Sequence, residues 1–176
     1  ETDMETVVGE LARSKGVTLA TAESCTGGLI GQRVTAVAGS SDYYMGGLVA
    51  YSDDVKKKVL GVEGSTLAMF GAVSEETATE MALGVRRLTG SDVGLAVTGI
   101  AGPTGGSEEK PVGTVVVALA ADGLDDGAVS RSYRLWGDRE GVRLLASQVA
   151  LDWVRRHLLG LKADQSALGL RGRGRA

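Results

Sequence analysis

The sequence contains very few of the residues that build metal sites and disulfides. Among its 176 residues there is one cysteine, Cys25, and one histidine, His157. A lone cysteine excludes an internal disulfide, and one residue of each type is too few for the usual zinc ligand sets. A single histidine also leaves little room for a Ser-His-Asp triad elsewhere in the chain. We therefore expect no metal, and we expect any hydrolytic reaction to use another base.

Long apolar runs and an excess of positive charge are also missing. No run approaches the roughly 20 residues of a membrane-spanning helix, and the polar start Glu1-Thr2-Asp3 does not resemble a signal peptide. These features predict a cytoplasmic protein with no membrane partner. The net charge of −3 disfavours nucleic-acid binding, which relies on clustered Lys and Arg. The basic stretch 171–175 is the exception, and its composition is typical of a solvated tail.

The composition that is present favours one globular domain. A hydrophobic fraction of 43% with 23% charged residues is enough for a sizeable core. We predict a domain over residues 1–161, followed by a flexible tail over 162–176.

Apolar periodicity predicts helices and strands in alternation. Helices are expected from Met4 to Gly16, from Gly27 to Gly39, from near Asp53 or Asp54, and after caps at Ser74 and Asp138. Strands are expected over 17–21, 43–51 (as a buried strand), 93–97, 112–120 and 130–136. This order predicts an α/β fold, a three-layer α/β/α single domain with a mixed β-sheet.

Three segments carry residues suited to chemistry. The first, Thr21-Ala22-Glu23-Ser24-Cys25-Thr26-Gly27-Gly28, lies where a strand ends and a helix begins. Ligands of open α/β sheets gather at the carboxyl ends of strands, and N–H groups at a helix start attract anions. The alternative interpretation is that Ser24 or Thr26 only caps the helix and that the glycines only permit a tight turn.

The second segment combines serines with a lysine. Gly39-Ser40-Ser41 is followed by Tyr51-Ser52 and by Lys56. A serine hydroxyl needs a base to become a good nucleophile, and a lysine of lowered pKa can serve as that base. The alternative is a solvated helix face with three lysines and an ordinary Gly-Ser-Ser loop.

The third segment is the glycine-rich loop 98–114 between two hydrophobic strands. It contains both prolines of the chain, and its glycines let the backbone approach a ligand closely. No Gly-Lys-Ser or Gly-Lys-Thr follows, and no Gly-x-Gly-x-x-Gly fingerprint is present. Nucleoside triphosphate chemistry is therefore not expected.

Together these segments resemble the C-terminal domain family of the competence and damage-inducible protein CinA, which includes stand-alone nicotinamide mononucleotide deamidases. The resemblance rests on the first segment, on Gly71-Ala72-Val73-Ser74, and on the strings 98–103 and 105–114. It extends from the first helix to the helix after Asp138. It implies an α/β fold that hydrolyses the amide of nicotinamide mononucleotide to nicotinic acid mononucleotide and ammonia, with no cofactor.

The resemblance also implies site residues. A Ser and Lys pair is expected at Ser41 and Lys56, with Lys56 removing the serine proton, and Ser24 remains open as an alternative nucleophile. The supporting residues implied for catalysis are Ser24, Tyr51 and Thr98, and those for substrate binding are Arg139, Gly27, Gly28, Gly99 and Gly102. Ser24 and backbone N–H groups near Gly27 are expected to stabilise an oxyanion.

Two further expectations follow from the resemblance. Longer family members carry an N-terminal nucleotide-processing domain that this sequence does not show, and some members lack deamidase activity. A catalytically silent module that binds a nucleotide or a partner protein is therefore the alternative function. A homo-oligomer, with a dimer favoured, is the expected assembly.

Overall fold

The computed structural model describes residues 3–168 as one β-sheet between two layers of helices. The five strands are β1 (Leu19–Glu23), β2 (Tyr44–Val49), β3 (Val93–Gly99), β4 (Thr114–Ala121) and β5 (Ala128–Arg134). The six α-helices are α1 (Met4–Lys15), α2 (Leu29–Thr35), α3 (Asp53–Leu60), α4 (Gly64–Phe70), α5 (Glu75–Thr89) and α6 (Arg139–Leu158).

The sheet is mixed, with the strand order β2-β1-β3-β4-β5. Strands β2, β1 and β3 are parallel, whereas β4 and β5 are antiparallel to their neighbours. Glu23, the last residue of β1, is in register with Val49 on β2 and with Val97 on β3. The chain therefore leaves all three parallel strands at the same edge of the sheet, where ligands of open α/β folds bind.

Alternation along the central strands separates two cores. Val115, Val117 and Leu119 of β4 pack with α1, α2 and α6, while the residues between them pack with α5 and α3. The α5 side is lined by small residues, which lets that helix come close to the sheet. A Cβ at Gly94 of β3 would lie 2.3 Å from the Ala82 carbonyl oxygen of α5. The architecture is thus the predicted three-layer α/β/α domain.

Several predicted helix ends are confirmed by their hydrogen bonds. Gly16 ends α1 in the left-handed conformation, Ser74 Oγ accepts from the Thr77 N–H at the start of α5, and Asp138 Oδ1 accepts from the Gly141 N–H at the start of α6. Helix α3 begins at Asp53, as predicted, and its cap is Ser52, whose Oγ accepts from the Val55 N–H.

Two features differ from the sequence-based expectation. The strand predicted as buried over 43–51 is β2, an edge strand whose residues alternate between half-buried and exposed. Helix α4 was not predicted, because its start at Gly64 has no side-chain cap and none of its residues is fully buried. Both outcomes depend on tertiary position, which local periodicity does not encode.

Packing on the domain continues past residue 161, the boundary predicted from the sequence. A 3-10 turn over Ala163–Gln165 follows α6, and Ala163 and Ser166 are buried. The Ser166 hydroxyl donates to Asp152 Oδ2 of α6 at 2.5 Å. The basic stretch 171–175 lies outside the described residues. Within residues 3–168, no helix has both the length and the apolar composition needed to cross a membrane.

Candidate active site

A pocket of about 270 Å³ opens at the carboxyl edge of the parallel strands. It gathers side chains that follow β1, β2 and β3 together with residues of α3, of the 99–105 loop and of the start of α6. Seven of the ten residues predicted for the site line it: Ser24, Tyr51, Lys56, Thr98, Gly99, Gly102 and Arg139. The other three, Ser41, Gly27 and Gly28, do not.

Ser24 reaches the pocket because it directly follows β1. Its backbone N–H donates to the Val97 carbonyl of β3 at 2.9 Å, which continues the parallel pairing by one residue. The chain then turns sharply through Gly27 and Gly28, both with positive φ, before α2 begins. The serine is thus held at a strand-to-helix turn and lines the pocket while remaining largely buried.

The N–H groups at the start of α2 bind a side chain of the protein itself. The Glu23 carboxylate accepts from the N–H groups of Gly28, Ile30 and Gly31 at 2.8 to 3.1 Å. The Gly27 N–H donates to the Ser24 carbonyl. The N–H groups of Gly27 and Gly28 therefore already have partners within the protein, and neither residue lines the pocket, so the predicted substrate and oxyanion contacts of these two glycines have no support in this geometry.

Lys56 is the candidate base. It lies on the first turns of α3 with only 1% of its side chain exposed, and Nζ donates to the Tyr51 carbonyl at 3.2 Å. Burial lowers the pKa of Lys56, and the nearby Asp53 carboxylate acts in the opposite direction. A lysine with a lowered pKa provides more of the neutral amine, which is the form that accepts a proton.

Ser41 lies far from Lys56, which contradicts the predicted Ser41 and Lys56 pair. Ser41 is exposed in a 3-10 turn that precedes β2, whereas Lys56 follows the same strand. A six-residue strand is about 17 Å or more in length, and it places the two residues at opposite edges of the sheet. Proton transfer between them would need hydrogen-bond distance. The serine that shares the pocket with Lys56 is Ser24.

Tyr51 and Arg139 join two distant parts of the chain at the pocket mouth. Tyr51 follows β2, and its hydroxyl accepts from the Arg139 guanidinium at 3.1 Å. Another guanidinium nitrogen of Arg139 donates to the Gly102 carbonyl at 2.7 Å. Both side chains are exposed, so Arg139 presents a positive charge to a ligand entering from solvent. Its planar donor set matches phosphate or carboxylate oxygens.

Thr98 and the loop after it form the opposite wall. The Thr98 hydroxyl donates to the Ala72 carbonyl at 2.8 Å, which fixes the segment before α5 against the end of β3. Gly99 cannot carry a side chain without displacement, because a Cβ there would lie 2.8 Å from Val115 Cγ2 and 3.0 Å from Cys25 Sγ. The predicted supporting role of Thr98 in catalysis stays a prediction, and the hydrogen bond of its hydroxyl is to backbone.

Sequence reasoning missed two of the titratable side chains that line the pocket, Asp53 and Cys25. Asp53 lies one helical turn before Lys56, with Oδ1 3.7 Å from Nζ, and the i,i+3 spacing was the available signal. Cys25 follows Ser24, and burial raises the pKa of its thiol to about 12. Because the thiolate is the nucleophilic form, Cys25 is a poor nucleophile at neutral pH. Within residues 3–168, no cluster of three or more His, Cys, Asp or Glu side chains is placed to hold a metal ion.

The arrangement supplies the parts of covalent acyl transfer. A serine hydroxyl, a buried lysine of lowered pKa and an exposed arginine surround one small pocket. Groups of these three kinds can act as a nucleophile, a base and an anion-binding group.

Comparison with known proteins identifies relatives over nearly the whole chain. The family model of the CinA C-terminal domain matches residues 1–158. A CinA-like protein of Geotalea uraniireducens is 51% identical over 162 residues, which cover 92% of this chain and 38% of that protein. A CinA-like protein of Geobacter sulfurreducens is 54% identical over 156 residues, which cover 89% and 37%. The chain thus spans less than two fifths of the length of these relatives.

Solved structures agree on the fold. A CinA superfamily protein from Klebsiella pneumoniae 700603 superposes with a TM-score of 0.84 at 36% identity, covering 89% of this chain and 96% of that one. A competence/damage-inducible protein from Agrobacterium tumefaciens has a TM-score of 0.79 at 41% identity, covering 86% and 93%.

Proposed function

The chain belongs to the CinA C-terminal domain family, and from that premise we propose that it is an amidohydrolase converting nicotinamide mononucleotide to nicotinic acid mononucleotide and ammonia. One observation carries the proposal: Ser24 and the buried Lys56 line the same pocket, at the edge of the sheet where ligands bind. A serine with a lysine of lowered pKa is suited to attack an amide carbonyl without histidine.

In the proposed reaction, neutral Lys56 accepts the hydroxyl proton of Ser24, and Ser24 Oγ attacks the carboxamide carbon to give a tetrahedral intermediate. The protonated Lys56 returns the proton to the amide nitrogen, the C–N bond breaks, and ammonia leaves. A water molecule, deprotonated by Lys56, then attacks the acyl-enzyme ester. This second step releases nicotinic acid mononucleotide and restores the Ser24 hydroxyl.

Substrate binding is assigned to the charged mouth of the pocket. The guanidinium of Arg139, bound to the Tyr51 hydroxyl, faces solvent beside the site and can pair with the 5′-phosphate. The backbone of Gly99 and Gly102 lines the wall where the pyridine ring approaches. A volume of about 270 Å³ suits a pyridine ring with part of its ribose, and excludes a folded macromolecule.

The proposal is tested by incubating the purified chain with nicotinamide mononucleotide and measuring both products. We expect ammonia and nicotinic acid mononucleotide in equal amounts, with turnover lost in the Ser24→Ala variant prepared in parallel. Free nicotinamide, which lacks the phosphate, should react with a much lower kcat/KM. Binding of the mononucleotide without release of ammonia would support the silent nucleotide-binding module instead.

A further inference from the structure

Glu23 is a buried carboxylate whose hydrogen bonds all go to one turn of the backbone. Glu23 as a whole is only 2% exposed. Oε2 accepts from the N–H groups of Gly28 and Ile30 at 3.0 and 3.1 Å, and Oε1 accepts from the Gly31 N–H at 2.8 Å. Burying a carboxylate is costly unless such partners replace water.

The Glu23 carboxylate replaces the side-chain N-cap that α2 lacks. Gly28 precedes α2 and has no side chain to accept the first N–H groups, so Glu23 accepts them from the end of the preceding strand. This contact closes the segment 24–27 into a loop whose two ends are tied to a single residue. Ser24, the first residue of that loop, is covalently joined to Glu23.

Two other contacts fix the same loop from outside. The Ser24 N–H is bound to the Val97 carbonyl of β3, and the Arg143 guanidinium of α6 donates to the Thr26 carbonyl at 3.0 Å. Neither contact restrains the far end of the loop, where the chain passes through two glycines with positive φ. The Gly27 N–H donates to the Ser24 carbonyl within the loop, and the Glu23 side chain ties the residues that follow back to the end of β1, so that it helps to set the path of the backbone that carries the serine.

We propose that Glu23 is a positioning residue for Ser24: its carboxylate holds the turn that keeps the serine hydroxyl aligned with the reacting carbonyl. This inference rests on the proposed function of the pocket. Misplacing a reacting group by about 1 Å can lower a rate roughly 100-fold. Loss of the Glu23 contacts should therefore lower kcat, while the substrate contacts made by Arg139 and the glycine loop remain.

The test compares Glu23→Gln and Glu23→Ala with a matched control, Asp152→Asn. A glutamine keeps one acceptor oxygen but sets an NH2 group against a backbone N–H, whereas alanine removes both acceptors. Asp152 is also a buried carboxylate with several donors, from Arg155 and Ser166, but it lies on α6 about 20 Å along the helix from Arg139. Asp152→Asn therefore shows how much turnover changes when the protein is destabilised away from the pocket.

We expect kcat to fall about tenfold in Glu23→Gln and about 100-fold in Glu23→Ala, with KM changed by less than about threefold. Asp152→Asn should lower the Tm and leave kcat unchanged at a temperature where it is folded. Hydrogen exchange of the peptide spanning 24–31 should be faster in the Glu23 variants and unchanged in the control.

Three results overturn the inference. One is a Glu23→Ala variant with wild-type kcat, the second is a kcat that follows Tm equally in all variants, and the third is unchanged exchange at 24–31. Absence of turnover in the unmodified chain would instead refute the proposed function, and the exchange measurement would still decide whether Glu23 holds the serine turn.

Discussion

Lys56 Nζ lies 3.7 Å from Asp53 Oδ1, and the two side chains differ sharply in exposure: 1% for the lysine and 59% for the aspartate. The buried ammonium therefore has one carboxylate beside it, on the solvent side of the pocket. Burial lowers the pKa of Lys56, and the Asp53 charge opposes that shift. Asp53 is thus placed to tune the base without replacing it.

Removing that charge should change the pH dependence of the reaction. Without the Asp53 carboxylate, the protonated form of Lys56 loses a stabilising partner, so its pKa falls further. The neutral amine then persists to lower pH, and we expect the acid limb of kcat/KM in Asp53→Asn to move to lower pH. Asp54→Asn is the matched control, since Asp54 pairs with Lys57 at 3.1 Å and does not line the pocket. A shift toward higher pH, or equal shifts in both variants, would contradict this tuning.

Lys56 should also show a trade-off between stability and activity. Replacing it by methionine removes a buried ionisable group, at the cost of its contacts with the exposed Asp53 carboxylate and the Tyr51 carbonyl, so we expect Lys56→Met to be inactive and more stable than wild type. A gain of about 1 kcal/mol corresponds to a rise in Tm of about 2–4 °C for a domain of this size. Lys56→Arg should be inactive too, because a guanidinium stays protonated. Thermal melts and deamidation assays check both statements, and an active Lys56→Met variant would remove the lysine from the mechanism.

Arg139 should act through the phosphate of the substrate. Losing a charge-assisted hydrogen bond costs about 1.5–3 kcal/mol, so Arg139→Gln should raise KM for nicotinamide mononucleotide about 10- to 100-fold. The corresponding riboside, which lacks the phosphate, should react equally with wild type and variant. Tyr51→Phe removes only the hydroxyl that accepts from Arg139 and should have a smaller effect. An equal rise in KM for the mononucleotide and the riboside would show that Arg139 does not act by binding the phosphate.

The sequence predicted about half of the residues that line the pocket, because the polar side chains suited to chemistry come at or after the ends of the parallel strands. Ser24, Tyr51 and Thr98 come at or after the ends of β1, β2 and β3, and such residues meet at one edge once the strands are parallel. Ser41 lies outside the pocket because it precedes β2, and a residue before a parallel strand lies at the opposite edge of the sheet from one after it. Spacing alone did not separate these two cases.

Other features could not be predicted from local patterns. The edge position of β2 depends on strand order, which no window of sequence contains. The three hydrogen bonds of Glu23 depend on the path of a turn five to eight residues away, so a buried carboxylate next to Ser24 gave no separate signal. Periodicity predicts the fold class. It does not predict that the Glu23 carboxylate binds the N–H groups at the start of α2, because that contact depends on the folded path of the chain.

The end of the described chain should contribute to stability. Removing all residues after Leu161 deletes the buried Ala163 and Ser166 and leaves Asp152 without one of its donors. Unmet buried polar groups cost about 1–3 kcal/mol, so we expect a Tm lowered by several degrees, at about 2–4 °C per kcal/mol. A chain ending at Leu168 keeps these contacts and serves as the control. Identical melting of the two truncated chains would show that the segment adds nothing to the fold.

The choice between Ser24 and Ser41 is the central claim of the mechanism, and one assay tests it directly. Rates of ammonia release from nicotinamide mononucleotide are compared for Ser24→Ala and Ser41→Ala under the same conditions. Ser24 lines the pocket with Lys56, whereas Ser41 lies beyond the far end of β2. We expect kcat to fall about 1,000-fold or more in Ser24→Ala and to stay within about twofold of wild type in Ser41→Ala. An active Ser24→Ala variant, or an inactive but folded Ser41→Ala variant, would contradict the account.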